Sequence, residues 1–502
     1  MGACRDPRLW QESGRTQRDG GRSGLVLDTR ETRTKIVATL GPASSSEAVI
    51  RALIRAGMDV ARINLSHGTH EQHAQTIRRV RDIAAVERAV VAVLADLQGP
   101  KLRLGLLRGT LRLSRGDWLT ATTRPADGTH AVVPLPHANA IQSATVGDPV
   151  LFGDGEVEAV VREVRPNALV LQTVVGGSLR SRQGISLPGG TAHVDCLTKK
   201  DREDARFAAA CGVDFVGLSF VRTGDDVTAL RELLGSLENG GRIGIVAKIE
   251  KREAVDRLDE ILDVSDAVMV ARGDLGIEIP PQEVPTQQKR IIRRCNQRGV
   301  PVITATQMLQ AMVEHPRPTR AEASDVANAI LDGTDAVMLS AETAVGRYPE
   351  AAVAMMREIS ASAEADMALQ SGGPRHTDAA RAVTDAIGVA VVQLAETLDV
   401  CLIAASTASG YTARQIARLR PHRPIVGLTP SQHVFRQLAL VWGVIPALAP
   451  AYVGTDEMID VVTRTLAAAG YVTNGDRVVI SAGVPTGGGG TTNLIKVHTI
   501  ET

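Results

Sequence analysis

The chain is predicted to be an α/β protein built on a closed (β/α)8 barrel, with an inserted β lid and a C-terminal open α/β domain. Two observations carry this. Eight short β-branched runs ending in polar residues recur with amphipathic stretches in most gaps. One gap alone, of more than a hundred residues, is too long for a helical crossover. The runs are TKIVATLG (34–41), DVARINLS (59–66), VVAVLADL (90–97), DFVGLSF (214–220), IGIVAKIE (243–250), AVMVARGD (267–274), PVITATQ (301–307) and AVMLSAE (336–342). Strand and helix alternating eight times means a parallel barrel. An open doubly wound sheet usually has fewer strands and carries a Gly-rich loop after the first one. No G-x-G-x-x-G follows a strand here, and no G-x-x-x-x-G-K-[ST] occurs.

Each element has a local reason. SSEAVIRALIRAG (45–57) has Ser at its start and Gly57 at its end, the residues that cap helices. TQQKRIIRRCNQRG (286–299) repeats the pattern. Residues 101–192 alternate β-type runs with Gly, Asp and Pro turns and read as an all-β insertion after the third strand, placed to act as a lid. QSGGPRHTD (370–378) reads as a linker. Beyond it CLIAAS, PIVGLTP, GVIPALA, DRVVISAG and NLIKVHTI are further strands. The expected division is a disordered extension (1–30), a barrel (31–100 with 193–369), a lid (101–192) and a C-terminal domain for effector binding and oligomerisation (376–502).

The 502 residues hold 56 basic and 56 acidic side chains, so formal charge gives no reason to expect a nucleic-acid partner. Aromatics at 2% leave the cores aliphatic and make base-stacking platforms unexpected. Five scattered cysteines without a C-x-x-C argue against a disulfide framework or zinc site and suit a reducing cytosol. No apolar run reaches the roughly 18–20 residues of a membrane span. The Arg-, Gly- and Asp-rich first thirty residues lack the apolar core of a secretory signal. A cytoplasmic protein is expected.

In a strand, residues two apart share a face, and the inward face at the C-terminal end of a barrel builds the active site. Read that way, the second strand offers Arg62, Asn64 and Ser66, and the third Asp96. The fifth offers Lys248 and Glu250, the sixth Arg272 and Asp274, the seventh Thr304 and Thr306. Any one such pair reads as a structural ion pair. Several successive strands ending this way exceed what a structural barrel requires. Glu250 and Asp274 are hard oxygen ligands suited to Mg2+ or Mn2+. Lys248 and Arg62 beside that ion would gather and stabilise a phosphoryl group in transfer. GDLGIEIP could offer backbone N–H groups to a carboxylate or phosphate if it opens a short helix. In STASGYTARQIARLRP (406–421), Ser406, Thr407, Ser409, Gly410 and Thr412 form either a phosphate cradle or a well-capped surface helix.

At these residues the sequence resembles the pyruvate kinase family over roughly residues 32–502. TKIVATLGPAS, ARINLSHGTHE, ADLQGPKLR, KIE, MVARGDLGIEIP, TATQML, LDGTDAVMLSAETA and GGTTNLIK occur in the family's order. The resemblance implies transfer of the phosphoryl group of phosphoenolpyruvate to ADP, with a homotetrameric assembly. It implies that Glu250 and Asp274 hold Mg2+, Lys248 stabilises the phosphoryl group and Arg62 binds phosphate. Gly273 and Thr306 would hold the substrate carboxylate, with Thr306 near the protonation path. Arg103 and Lys200 resemble nucleotide-phosphate contacts. Asn64, Ser66, Asp96 and the Leu97 carbonyl would form a K+ pocket. The family motif D-T-K-G-P-E reads DLQGPK here, and Lys101 in place of the Glu implies that K+ is not required. The loop at 406–412 would bind a sugar-phosphate or nucleotide effector. A lyase or aldolase on a phosphoenolpyruvate-like acid would share the two carboxylates but not need the cations and nucleotide lid together. A silent metabolite sensor would predict decayed barrel motifs, and none is seen.

Overall fold

A computed structural model describes residues 32–501, apart from 154, 189–194, 371–382 and 485–489. The expected N-terminal extension, the end of the insertion at 192 and most of the 370–378 linker lie outside the described residues.

The eight barrel strands are Lys35–Leu40, Val60–Asn64, Ala92–Asp96, Phe215–Leu218, Gly244–Ile249, Ala267–Ala271, Val302–Ala305 and Ala336–Leu339. They pair in parallel in chain order and close first to eighth, with Lys35 opposite Ala336. The third and fourth strands pair directly, Leu94 against Phe215, despite the long insertion between them. Alternate residues separate two cores, as a pleated strand demands. Val37, Val60, Leu94, Val246, Met269, Ile303 and Met338 fill the barrel interior. Ile36, Ala61, Val93, Ile245, Val268, Val302 and Val337 pack outward against the helices. The helices obey their end signals. Ser46 caps Glu47–Ala56, which stops at Gly57 with φ 124°, a backbone that a side chain would strain. The helix predicted from 286 starts two residues earlier, at Val284, with a proline in its first turn, where the missing N–H costs nothing.

The insertion holds a six-stranded sheet around Phe152, Val161, Leu169 and Leu171 and a two-stranded ribbon, Leu111–Leu113 with Gly177–Leu179. It is not wholly β: Ala138–Ser143 is a short helix. The Arg103–Gly184 bridge ties the two connections to the barrel. The C-terminal domain is a five-stranded sheet whose last strand, Leu494–Thr499, runs antiparallel. It docks on the base of the barrel. Arg436 pairs with Asp214 at 2.6 Å and Arg420 with Asp335 at 3.0 Å, while Lys35 Nζ donates to the Val444 carbonyl.

Two registers differ from expectation. The sixth strand ends at Ala271, and Arg272–Glu278 is a helix, so Asp274 is delivered by a first helical turn rather than by strand alternation. In the seventh strand Ile303 and Ala305 face inward, while Thr304 donates to the Thr334 hydroxyl on the outer side. Thr306 lies past the strand end with φ 70°. Period-2 reading holds only while the ladder continues; a helical turn or a left-handed residue resets which way the next side chain points.

Among the described residues no helix is long and apolar enough to cross a membrane. Cys196, Cys211 and Cys295 carry free thiols, as the scattered spacing predicts.

Candidate active site

Lys248 is the centre of the barrel mouth. It follows inward-facing Val246 by two residues, so the pleat aims it up the axis. Its ammonium lies 2.9 Å from Glu250, 3.4 Å from Asp96 Oδ1 and 2.8 Å from the Ser219 hydroxyl. Burial alone would lower its pKa, but Asp96 and Glu250 outweigh burial and leave it raised, so the amine stays protonated. Arg62 grips the other oxygen of Asp96, with Nε at 2.7 Å, and reaches the Thr39 hydroxyl at 3.0 Å. Burial pushes the Asp96 carboxyl up, yet Lys248 and Arg62 together hold it below the ordinary carboxylate value. Its Oδ1 remains a buried oxygen with no hydrogen-bond partner. A Cβ at Gly217 would stand 2.9 Å from that oxygen, so the glycine leaves it room.

Glu250 is buried, with one oxygen on Lys248 and the other accepting the Phe220 N–H at 2.8 Å. Burial raises its pKa, Lys248 opposes this, and the Asp274 carboxylate raises it further. Two carboxylates that repel across a mouth are what a hard divalent cation neutralises, so the donor set fits Mg2+ or Mn2+ with water and substrate oxygens completing the shell. Lys101 Nζ lies 3.8 Å from Asp274, so three cations (Lys248, Arg62, Lys101) meet three carboxylates (Asp96, Glu250, Asp274). A further divalent ion would leave the mouth positive and suited to an anionic substrate.

Gly273 and Thr306 are brought together, the Gly273 N–H donating to the Thr306 hydroxyl at 2.8 Å, which in turn donates to the Ala305 carbonyl. A β-branched residue at positive φ is costly, and strain of this kind persists where the surroundings hold it. Arg272 is the strap: its guanidinium donates to the Ala305, Thr306 and Gln307 carbonyls and pairs with Asp325 at 2.6 Å.

The remaining expected residues are placed as follows. Asn64 Oδ1 accepts the Ser66 N–H, and the Leu97 carbonyl accepts from Ser219. Lys101 makes its ion pair with Asp274 rather than with Asp96. Arg103 lines a cleft of about 270 Å3 between lid and barrel, together with Lys101 and Asp274. Lys200 lies outside that lining, donating to the Leu65 carbonyl and pairing with Asp204. In the C-terminal loop the Ser406 hydroxyl bonds Tyr452 at 2.6 Å and Thr412 bonds Thr492 at 2.9 Å. Thr407 is buried, Gly410 has φ 79°, Ser409 is exposed, and the helix they open has seven residues.

Sequence reasoning missed Ser219, Phe220 and the role of Arg272. The first two end the DFVGLSF run, whose polar terminus was a signal of the same kind as the others. Nothing local shows that Arg272 turns back onto three carbonyls thirty residues away.

Comparison with known proteins places the chain in a family. A model of the pyruvate kinase barrel domain matches residues 31–353, and one of the pyruvate kinase alpha/beta domain matches 385–498. The chain is 45% identical over 472 residues to pyruvate kinases of Staphylococcus aureus strains MRSA252 and bovine RF122 / ET3-1. Each match covers 93% of this chain and 80% of the relative. A crystal structure of a pyruvate kinase from Cryptosporidium parvum superposes with TM-score 0.85 at 35% identity, covering 95% of this chain and 98% of the other. With a charged barrel mouth under a lid and nearly full-length similarity of this strength, the chain belongs to the pyruvate kinase family of phosphotransferases.

Proposed function

We propose that the protein transfers the phosphoryl group of phosphoenolpyruvate to ADP, forming pyruvate and ATP. The observation that carries this reading is the convergence of Lys248, Arg62 and Glu250 with Asp274 at one barrel mouth in a chain of this family. In the reaction a terminal β-phosphate oxygen of ADP attacks phosphorus, the bond from phosphorus to the enol oxygen breaks, and the enolpyruvate carbon takes a proton. Glu250 and Asp274 would hold Mg2+ or Mn2+, which when bound would supply Lewis-acid neutralisation of phosphoryl oxygens.

Lys248, kept protonated by its two carboxylates, acts as a fixed positive charge on the migrating group and not as a proton donor. Arg62 contributes a second cation, aimed by Asp96. The Gly273 N–H exchanges its bond to Thr306 for one to the substrate carboxylate, and the strained Thr306 hydroxyl is positioned beside the carbon to be protonated. Arg103 at the lid hinge meets the nucleotide phosphates, with Lys200 as a further contact once it leaves Asp204.

Catalysis is K+-independent in this reading. Lys101 already supplies a monovalent charge at the mouth, beside Asp274, and Asn64, Ser66, Asp96 and Leu97 need hold no ion. In this reading the barrel comprises 31–100 with 193–369, the lid 101–192 and the C-terminal domain 376–502. Regulation runs through the C-terminal domain with a sugar phosphate or nucleotide at 406–412, and the enzyme works as a cytoplasmic homotetramer. A lactate dehydrogenase-coupled assay with phosphoenolpyruvate and ADP tests the reaction; no NADH loss above an enzyme-free control refutes it. Titrating sugar phosphates and AMP against the enzyme and its Thr407→Glu variant tests the effector loop, and undiminished activation of the variant refutes that assignment. Sedimentation at assay concentration tests the tetramer.

A further inference from the structure

The buried carboxylate of Glu278 has no part in the chemistry above, yet three elements of the site meet on it. It closes the helix Arg272–Glu278, whose first turn carries Gly273 and Asp274. Its Oε1 accepts the Ser186 hydroxyl at 2.7 Å, and Ser186 belongs to the last lid strand, Ile185–Ser186. The same oxygen pairs with Lys251, the residue after Glu250. Lys251 lies 5.7 Å over the Phe220 ring, and the Phe220 N–H holds Glu250. Glu278, Ser186, Lys251 and Phe220 all line the cleft between lid and barrel. The glutamate side chain is 5% exposed, so an unpaired charge there would be costly and the contacts hold each other in place.

We propose that Glu278 is a positioning residue for the transfer reaction. It docks the lid through Ser186 and fixes the Asp274 helix against the Glu250 strand through Lys251, so that lid closure and alignment of the two carboxylates are one event. This rests on reading the mouth as the site of phosphoryl transfer. A displacement of about 1 Å at a reacting centre costs on the order of a hundredfold in rate, so a lid left undocked should register in turnover.

Two variants of the full chain separate the arms. Glu278→Gln keeps the side chain's size and removes the charge facing Lys251; Ser186→Ala removes only the lid contact. The lid-to-barrel distance is read by fluorescence transfer between dyes on noncanonical residues at exposed Val164 in the lid and exposed Arg257 on the barrel. Both variants should move the distance distribution to longer values. Turnover should fall about tenfold or more in Glu278→Gln and less in Ser186→Ala, with the melting midpoint of Ser186→Ala within a few degrees of the parent. An unchanged distance distribution in Ser186→Ala overturns the lid arm, whether or not Glu278→Gln folds. A longer distance in both variants with parental kcat overturns the coupling to catalysis. A distance shift in an enzyme that never turned over phosphoenolpyruvate would instead remove the functional reading and leave the latch standing.

Discussion

The two ends of the barrel use the same residue types for opposite purposes. At the base, Asp214 accepts the Val93 N–H, Arg81 and Arg436, and Asp335 accepts the Val302 N–H and Arg420. Both carboxylates there are fully engaged, pinning strand ends and the C-terminal domain. At the mouth, Asp96 keeps a buried oxygen without a hydrogen bond and Glu250 is pushed toward protonation by burial and by Asp274. At the base the partners hold the fold together; at the mouth the carboxylates pair with Lys248 and Arg62, the cations of the site. In parallel barrels this division of labour follows the chain direction.

The largest test of that contrast is Lys248→Met. Turnover should fall by about 10²–10³-fold or more, the usual loss when one transition-state charge contact is removed, while circular dichroism stays that of the parent. Parental turnover would refute the role given to Lys248. Its counterpart at the base is Asp214→Ala. This should cost about 3 kcal/mol of stability by leaving Arg81 and Arg436 without their carboxylate, with kcat within about twofold of the parent. Denaturation and steady-state kinetics check both halves. A reversed pattern would dissolve the distinction between the ends.

Next in size is cation dependence. In a buffer free of K+ and Na+ the enzyme should keep turnover within about twofold, and Lys101→Glu should make it depend on K+. A large drop for the parent, or no change in the variant, contradicts the reading of Lys101.

The smallest effects are in pH. Glu250's raised pKa means the folded state binds more protons than the unfolded one between the ordinary carboxylate value and the raised one. Its contribution to stability therefore falls as pH rises through that window. Asp96, held low, does the reverse: its contribution is complete above the ordinary value and is lost as pH falls through the lowered one. Asp274→Asn removes a repelling charge and should move the Glu250 carboxyl band, followed by infrared difference titration without metal, to lower pH. An upward move would show that Asp274 is not what raises it.

Much of this site was legible in the chain. Arg62, Asp96, Lys248 and Glu250 each sit two or four residues beyond an inward apolar residue of the same strand, and the alternation that buries Val60, Leu94 and Val246 points them into the mouth. The rule failed at Asp274, where a helix takes over from the ladder, and at Thr304, which points outward within its strand while Thr306 lies beyond the strand end in a left-handed turn and so does not share its face. Ser219 and Phe220 were passed over although their run ended in the same way.

Local sequence by itself determined the period of each strand, the caps of its helices, the length of the insertion and which residue types lie at strand ends, because all of these depend on neighbours a few positions away. Tertiary structure alone decided which charges meet. Lys248 finds Asp96 across one barrel strand, Arg272 folds back on Ala305, and Glu278 joins the lid to Lys251. Such pairings are set by closure of the cylinder and docking of the lid, and Coulomb and desolvation energies depend on distances that only the closed fold brings down to a few ångströms.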